Sequence, residues 1–553
     1  MPRASTFIEA FPIFVNSLSK SRRFSMFQIP ELNYAQIRAK LLAREEIAIV
    51  DLREEHIYAQ AHPLFSTNIS LSRLEVEILN RIPRLDTTIV LYDDADGRVE
   101  RAYQKLIRYG YRQVHVLKGG TQAWARDGGE LFIDVNSATK AFGEWVEYYK
   151  HTPSLSAEEV QEKIDANENI VILDARRFDE YNTMSIPSGR SVPGAELVYR
   201  APNLVKDENT TIIVNCAGRT RSIIGTQSLL NAKIPHPVYA LRNGTIGWTL
   251  AGQSLEHAQT RSFKAVQTEL KPELLENAKV LAQKARVRII SFEELQKLQA
   301  ETQRTTYIFD VRDEEEYIQG HLDGSRWVAG GQLVQETDHN AAVRGARIVL
   351  IDDQLIRAYM TASWLGQMNW EVYVLETDFS EILTTRGTWT PSLPIVDTVE
   401  LISPEQLKKL KSTQNIAIWD VQPFALYKKA HIPDAAWLLK AEAVERIQQA
   451  EFQAKDAVIL TCGRSVLAHY TAKEIKAFHK KMYVLDGGNV AWEKAGYPLT
   501  VDNAQALSPQ IDRYKRPYEG TDNSHEAMQA YLDWEFGLVD QLKKDGTHGF
   551  FTI

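Results

Sequence analysis

Cysteine is nearly absent: Cys216 and Cys462 are the only two in 553 residues. Two thiols cannot build a disulfide framework or a four-cysteine zinc site. They suit a reducing, cytoplasmic setting, and the sequence calls for no metal and no organic cofactor. No apolar run approaches the roughly 20 residues that span a bilayer, so no membrane partner is expected. Excess positive charge is missing too. The net charge of −8 gives no support for nucleic-acid binding. A clean secretory signal is also lacking. Residues 7–15 are largely apolar, but Glu9 and Pro12 interrupt them and Ser19-Lys20-Ser21-Arg22-Arg23 follows. Residues 1–27 read as a loosely ordered N-terminal extension, with Met26 an alternative start.

Repetition is what the chain has in abundance. Four apolar runs end in aspartate, at Asp51, Asp174, Asp310 and Asp420. Seven residues later stands a tyrosine each time: Tyr58, Tyr181, Tyr317 and Tyr427. Eleven residues later stand His62, Ser185, His321 and His431. Forty-two residues later, after a second apolar run, stand Asp93, Cys216, Asp352 and Cys462. A helix-like stretch and a third apolar run follow. Three copies then show a glycine turn and a tryptophan: Gly119-Gly120 with Trp124, Asn243-Gly244 with Trp248, and Gly487-Gly488 with Trp492. The third copy has Thr377-Asp378 and Ile382 instead.

Strands alternate with helices in each copy, which predicts four tandem α/β domains, each a mostly parallel central sheet flanked by helices, plus a C-terminal helical tail. The expected domains cover residues 28–135, 150–257, 286–392 and 398–502, with the tail at 503–553. A chain of this length divides naturally into about four cores. Residues 137–150 and 260–284 read as helical connectors. The short, proline-marked joint at 391–396 suggests that the third and fourth copies pack as a pair. Residues 525–544 read as one amphipathic helix carrying Met528, Tyr531, Leu532, Trp534, Phe536, Leu538 and Leu542. It could dock on its own chain or form a homodimer contact.

Position +42 falls at the carboxyl end of a strand, where α/β sheets place reactive loops. Cys216-Ala217-Gly218-Arg219-Thr220-Arg221-Ser222 is the richest of the four loops. Two arginines and a helix N-terminus predict a positive field that favours thiolate. The plainer reading is a buried small hydrophobe. Copy four has Cys462-Gly463-Arg464-Ser465, a loop three residues shorter if Ser465 opens its helix, so fewer amides are expected to face that sulfur. It also has Gln422 where the other copies have Arg53, Arg176 and Arg312. Those arginines recur whether or not the cysteine is present, which points to an internal ion pair. The tyrosines follow the same logic, and no histidine stands out as a base near Cys216. Asp93 and Asp352 put a carboxylate where the other two copies have a thiol; both can cap the next helix.

These anchors resemble the rhodanese superfamily. The resemblance rests on Asp51-Leu52-Arg53, Asp174-Ala175-Arg176 and Asp310-Val311-Arg312, on His431-Ile432-Pro433, on the cysteine loop running into Arg221-Ser222, and on the glycine-to-tryptophan closure. It covers nearly the whole chain and extends to the tail, through Tyr518-Glu519-Gly520-Thr521-Asp522-Asn523 and Gly546-Thr547-His548-Gly549-Phe550, which is similar to the bacterial group built of four such domains. It implies a thiosulfate-type sulfurtransferase. A Cys216 thiolate would take sulfur from a small donor and pass it, as a persulfide, to a thiol or cyanide. Ala217, Gly218, Arg219, Thr220, Arg221 and Ser222 would cradle the anion, and Ser222 would cap the helix. Asp93 and Asp352 could accept no sulfur and would repel an anionic donor, so their copies would be inactive, and Cys462 would be a second, weaker persulfide site, a relay or a leftover core cysteine. Related phosphatases place the loop arginine six residues past cysteine, whereas Arg221 is five past Cys216. Two rivals stay open: a cysteine-based phosphatase or arsenate reductase, and a persulfide carrier or docking scaffold without turnover.

Overall fold

The structure is a computed structural model that describes residues 29–395, 399–479 and 481–553. The expected N-terminal extension and Met26 lie outside the described residues. Four parallel sheets repeat one topology. Counting strands from the start of each repeat, the spatial order is first, fifth, fourth, second, third in every sheet, and the last sheet adds a sixth edge strand, Gln505–Ala506. All named strand pairs are parallel, and helices connect them.

The central strands are short runs of β-branched and other apolar residues, as burial on both faces requires. Ile170–Asp174 and Thr211–Asn215 pair in register from Ile170 against Thr211 to Asp174 against Asn215. The residue after each fourth strand is Asp93, Cys216, Asp352 or Cys462. Sequence spacing therefore places all four positions at one equivalent point, beside the strand that ends in the repeat aspartate.

The other anchors are structural. Arg53, Arg176 and Arg312 pair with Asp51, Asp174 and Asp310 at 2.6 to 2.7 Å, all buried. Each guanidinium also donates to a backbone carbonyl, on Ala61, Met184 or Gly320. The four repeat tyrosines donate to the carbonyls of Ser66, Gly189, Ser325 and Ala435. His62, His321 and His431 stack on those tyrosines at 3.8 to 4.2 Å. Burial holds His62 down to about 4, as a neutral core group.

Three connector expectations change. Ser137–Lys150 is a helix as read, but in the 260–284 stretch the α-helix covers only Pro272–Lys284. The tail segment is two helices, His525–Phe536 and Leu538–Asp545, broken at Gly537. The fourth domain packs mainly on the first rather than on the third. Buried Lys440 bridges Glu75 at 3.0 Å and Glu474, Lys105 joins both glutamates at 2.6 Å, and Arg101 reaches the Ala441 carbonyl. The joint at 391–395 follows the first domain, where Ser392 bonds Asn80, before Tyr470 takes the Pro394 carbonyl. The second and third domains pair through Arg357 with Glu196 at 3.1 Å and Trp364 Nε1 with Ser228 Oγ at 2.8 Å. The first tail helix buries Met528, Tyr531 and Leu532 against Ile246 of its own chain, the first of the two dockings read from the sequence. No described helix is long and apolar enough to cross a membrane.

Candidate functional site

The Cys216 loop joins the central strand Thr211–Asn215 to the helix Thr220–Asn231. The first-turn amides of that helix have no intrahelical acceptor, and the Ser222 N–H is directed at Cys216 Sγ. Sγ in turn donates to Ser222 Oγ at 3.4 Å, and Ser222 Oγ donates to the Arg219 carbonyl at 2.8 Å. Ser222 does not cap the helix. Arg219 is the N-cap residue, without a side-chain cap bond, and Ser222 sits a turn further in, against the sulfur.

The glycine turn after the fifth strand holds the loop from beneath. Thr245 N–H donates to the Cys216 carbonyl at 2.9 Å and Ile246 N–H to the Ala217 carbonyl at 3.0 Å. Gly244 has φ +55°, and a Cβ there would collide with the Cys216 and Gly218 carbonyls. The repeated glycine is thus needed for close approach of two backbones. Gly143, on the connector helix, packs against Thr220 in the same manner, with a Cβ there only 2.8 Å from Thr220 Cγ2.

The expected positive field is largely cancelled. Arg219 binds Glu144 through Nε at 2.7 Å and Nη2 at 2.9 Å, also contacts Glu147, and reaches Asn243 Oδ1 at 2.9 Å. Arg221 forms a bidentate pair with Glu180 at 2.7 and 2.8 Å. Burial alone would raise the Glu180 carboxyl, yet Arg221 holds it down to about 2. Cys216 is 2% exposed. Burial pushes its thiol above the ordinary range, while Arg221 and the Ser222 bonds pull in the opposite direction without prevailing. The expectation of a resting thiolate is therefore corrected: counter-charges and desolvation outweigh the arginines.

Sequence reading missed contributors from three places. Glu144 and Glu147 come from the helix read as a connector. Glu180 stands six residues past Asp174, as Glu316 stands six past Asp310, so its recurrence was available as a signal. Tyr531 and Glu535, from the first tail helix, cover Gly218: a Cβ there would lie 3.1 Å from Tyr531 Cε1 and 3.4 Å from Glu535 Oε2. Phe536 closes the edge, with the Arg219 guanidinium 4.4 Å from its ring centroid.

The other three loops differ. Asp352 accepts N–H bonds from Gln354, Arg357 and Ala358 at 2.8 to 3.2 Å and pairs with the Arg357 guanidinium at 2.8 Å. Asp93 accepts from Ala95 and Val99 at 2.8 and 2.9 Å. Each carboxylate occupies its own loop as a built-in anion. Backbone N–H groups of Ala468, Leu467 and Arg464 favour the Cys462 thiolate. The shorter loop leads into the helix Val466–Ile475 with Ser465 as its N-cap, at φ +63°. Arg464 is exposed. Burial, with Asp420 nearby, pushes the Cys462 thiol up to about 11 despite those amides. Gln422 and Asn489 replace a guanidinium at Asp420, and burial lifts that carboxyl to about 7.

Comparison with known proteins agrees with this geometry. The rhodanese-like domain family matches four times, at residues 35–127, 156–251, 291–385 and 403–495. The chain belongs to the rhodanese family. A crystal structure of thiosulfate sulfurtransferase from Pseudomonas aeruginosa is 53% identical, with a TM-score of 0.91, over 95% of this rhodanese and 100% of that chain. The YqhL protein of Bacillus subtilis is 32% identical over 115 residues, 20% of this chain and 87% of its own length. A sulfurtransferase of Allochromatium vinosum is 27% identical over 100 residues, 18% of this chain and 92% of its own. Both shorter proteins correspond in length to about one domain of this four-domain rhodanese.

Proposed function

We propose that this rhodanese is a sulfurtransferase that moves sulfane sulfur from thiosulfate or a similar donor to a thiol or cyanide, through a persulfide on Cys216. One observation carries the assignment to Cys216. Of the four equivalent positions, it alone joins a thiol to an arginine five residues on and to a loop of full length. The similarity to a thiosulfate sulfurtransferase along nearly the whole chain supports the donor.

The first step starts from the Cys216 thiolate, the thiol proton having passed to solvent. Sγ attacks the outer sulfur of thiosulfate. An S–S bond forms on Cys216, the donor's S–S bond breaks, and its electron pair leaves with sulfite. A persulfide anion remains, and no external oxidant is consumed. The acceptor then attacks the outer sulfur, and Cys216 leaves as thiolate. The raised thiol makes thiolate scarce at rest, so an anion cradle of Ala217, Gly218, Arg219, Thr220, Arg221 and Ser222 serves mainly to hold donor and leaving sulfite. The domains carrying Asp93 and Asp352 act as scaffold in this reading. Cys462, on the shorter loop and with its thiol pushed up by burial, is at most a relay. Work in the cytoplasm suits a chain that needs both thiols reduced.

Mass measurement after thiosulfate treatment tests the reading. A gain of one sulfur atom is expected in the wild type and in Cys462→Ser, and none in Cys216→Ser. No gain in the wild type would sink it, and a full gain in Cys216→Ser would move the site to Cys462. Sulfite release over many cycles separates an enzyme from a carrier, and inert phosphate esters set aside the phosphatase.

A further inference from the structure

Glu535 covers the Cys216 loop, and the reaction just described does not use it. Its side chain is fully buried. Oε1 accepts the Tyr531 hydroxyl at 2.7 Å, while Oε2 has no partner among the described residues. That free oxygen faces Gly218, in the middle of the loop. A buried polar atom without a partner costs stability, so the site is complete only when something else meets it.

We propose that Glu535 is a substrate-binding residue of the Cys216 site, donating a hydrogen bond from Oε2 to an oxygen of the anionic sulfur donor held in the loop. The proposal rests on Cys216 being the reacting sulfur. A neutral carboxylic acid offers such a donor, whereas a carboxylate would repel a sulfonate. The surroundings favour the acid. Around Glu535 stand Tyr531 on its own helix, Tyr518 before that helix, Lys140 and Glu144 on the connector helix, Asp134 paired with Lys140, and Arg219 and Cys216 on the loop. Arg219 is occupied by Glu144 and Glu147, and Lys140 by Asp134. Burial, with Glu144, pushes the Glu535 carboxyl up to about 8, against the pull of Lys140, Tyr531 and Arg219.

Two protonation states are then required together. Cys216 must lose its proton and Glu535 must keep its own. The rate of persulfide formation should rise with pH, pass a maximum and fall on the alkaline side. The test is single-turnover sulfite release from thiosulfate by the full chain, measured across pH, so that no titrating acceptor intervenes. Glu535→Ala should raise the half-saturating thiosulfate concentration about tenfold, with a smaller change in maximal rate. Glu535→Gln donates through its amide and cannot ionise, so its alkaline fall should disappear. An alkaline fall that persists in Glu535→Gln, or is missing from the wild type, overturns the proposal whatever the alanine variant does. The glutamine variant keeps the side-chain shape and decides the matter if the alanine variant fails to fold. Absence of sulfite release from the wild type overturns the Cys216 reading as well. Release with an unaltered profile in Glu535→Gln overturns the role of Glu535 alone.

Discussion

Arg357 closes on Asp352 at 2.8 Å, so the third domain fills with its own carboxylate the place where the second domain sets Arg221 near a thiol. The two arginines are equivalent, each five residues past the end-of-strand position, and each is gripped by the glutamate six past the repeat aspartate: Glu180 for Arg221 and Glu316 for Arg357. The third loop is an occupied copy of the second.

Removal of that internal anion should harm folding and spare chemistry. Asp352→Ala leaves the buried Arg357 with fewer counter-charges and should cost about 3 kcal/mol in urea unfolding. Thiosulfate turnover at Cys216, measured below the transition, should persist. Loss of turnover in a folded variant would show that the third domain does more than support.

Glu180 restrains the field at Cys216. In Glu180→Gln the Arg221 guanidinium is released toward the sulfur, and the thiol should titrate about one unit lower. Iodoacetamide alkylation near pH 7 should then run up to about tenfold faster, because only thiolate reacts. An unshifted alkylation profile would mean that Arg221 never reaches Sγ.

Two glycines offer a matched pair. Gly244→Ala combines a positive φ with a collision at the Cys216 carbonyl and should cost more than about 2 kcal/mol while lowering sulfite release. Gly252→Ala has φ +75° but open space around it, and should cost only about 1 kcal/mol with activity intact. Equal losses in thermal melts and assays would contradict the close-approach role.

Asp420 provides a pH test. Its carboxyl keeps a proton up to about 7 when folded, against about 3.9 when unfolded. The folded state binds more protons between these values, so this group makes the chain lose stability as pH rises through them. Gln422→Arg supplies the partner found in the other three domains and should remove that loss. The expected gain is about 1 to 3 kcal/mol near pH 7. It should shrink toward pH 5, where the lone carboxyl is already mostly protonated. A gain independent of pH would point to packing instead.

The repeat spacing made the fold legible, because strand, aspartate, tyrosine and loop recur at fixed offsets within each copy. Asp-x-Arg could be read as an ion pair since it survives where cysteine does not. Glu144, Glu147, Tyr531 and Glu535 could not be read, because they reach the loop from helices outside its repeat and share no period with it. Arg219 stands inside the repeat while its partners Glu144 and Glu147 stand outside it, so the sequence points to thiolate where burial favours the thiol. Domain pairing was hidden for a similar reason. Lys440 and Glu75 are 365 residues apart, and nothing local marks either as a contact.

Gly143, Glu144 and Glu147 belong to the helix between two repeats, yet the Cys216 loop is built against them. The surroundings of Cys216 thus reach beyond the unit of repetition. A fragment cut at the repeat boundaries would keep Cys216 and its sheet, but Arg219 would lose both carboxylates and Gly218 its cover. Four frames share one strand order, and one of them ties its loop to helices that lie outside every repeat.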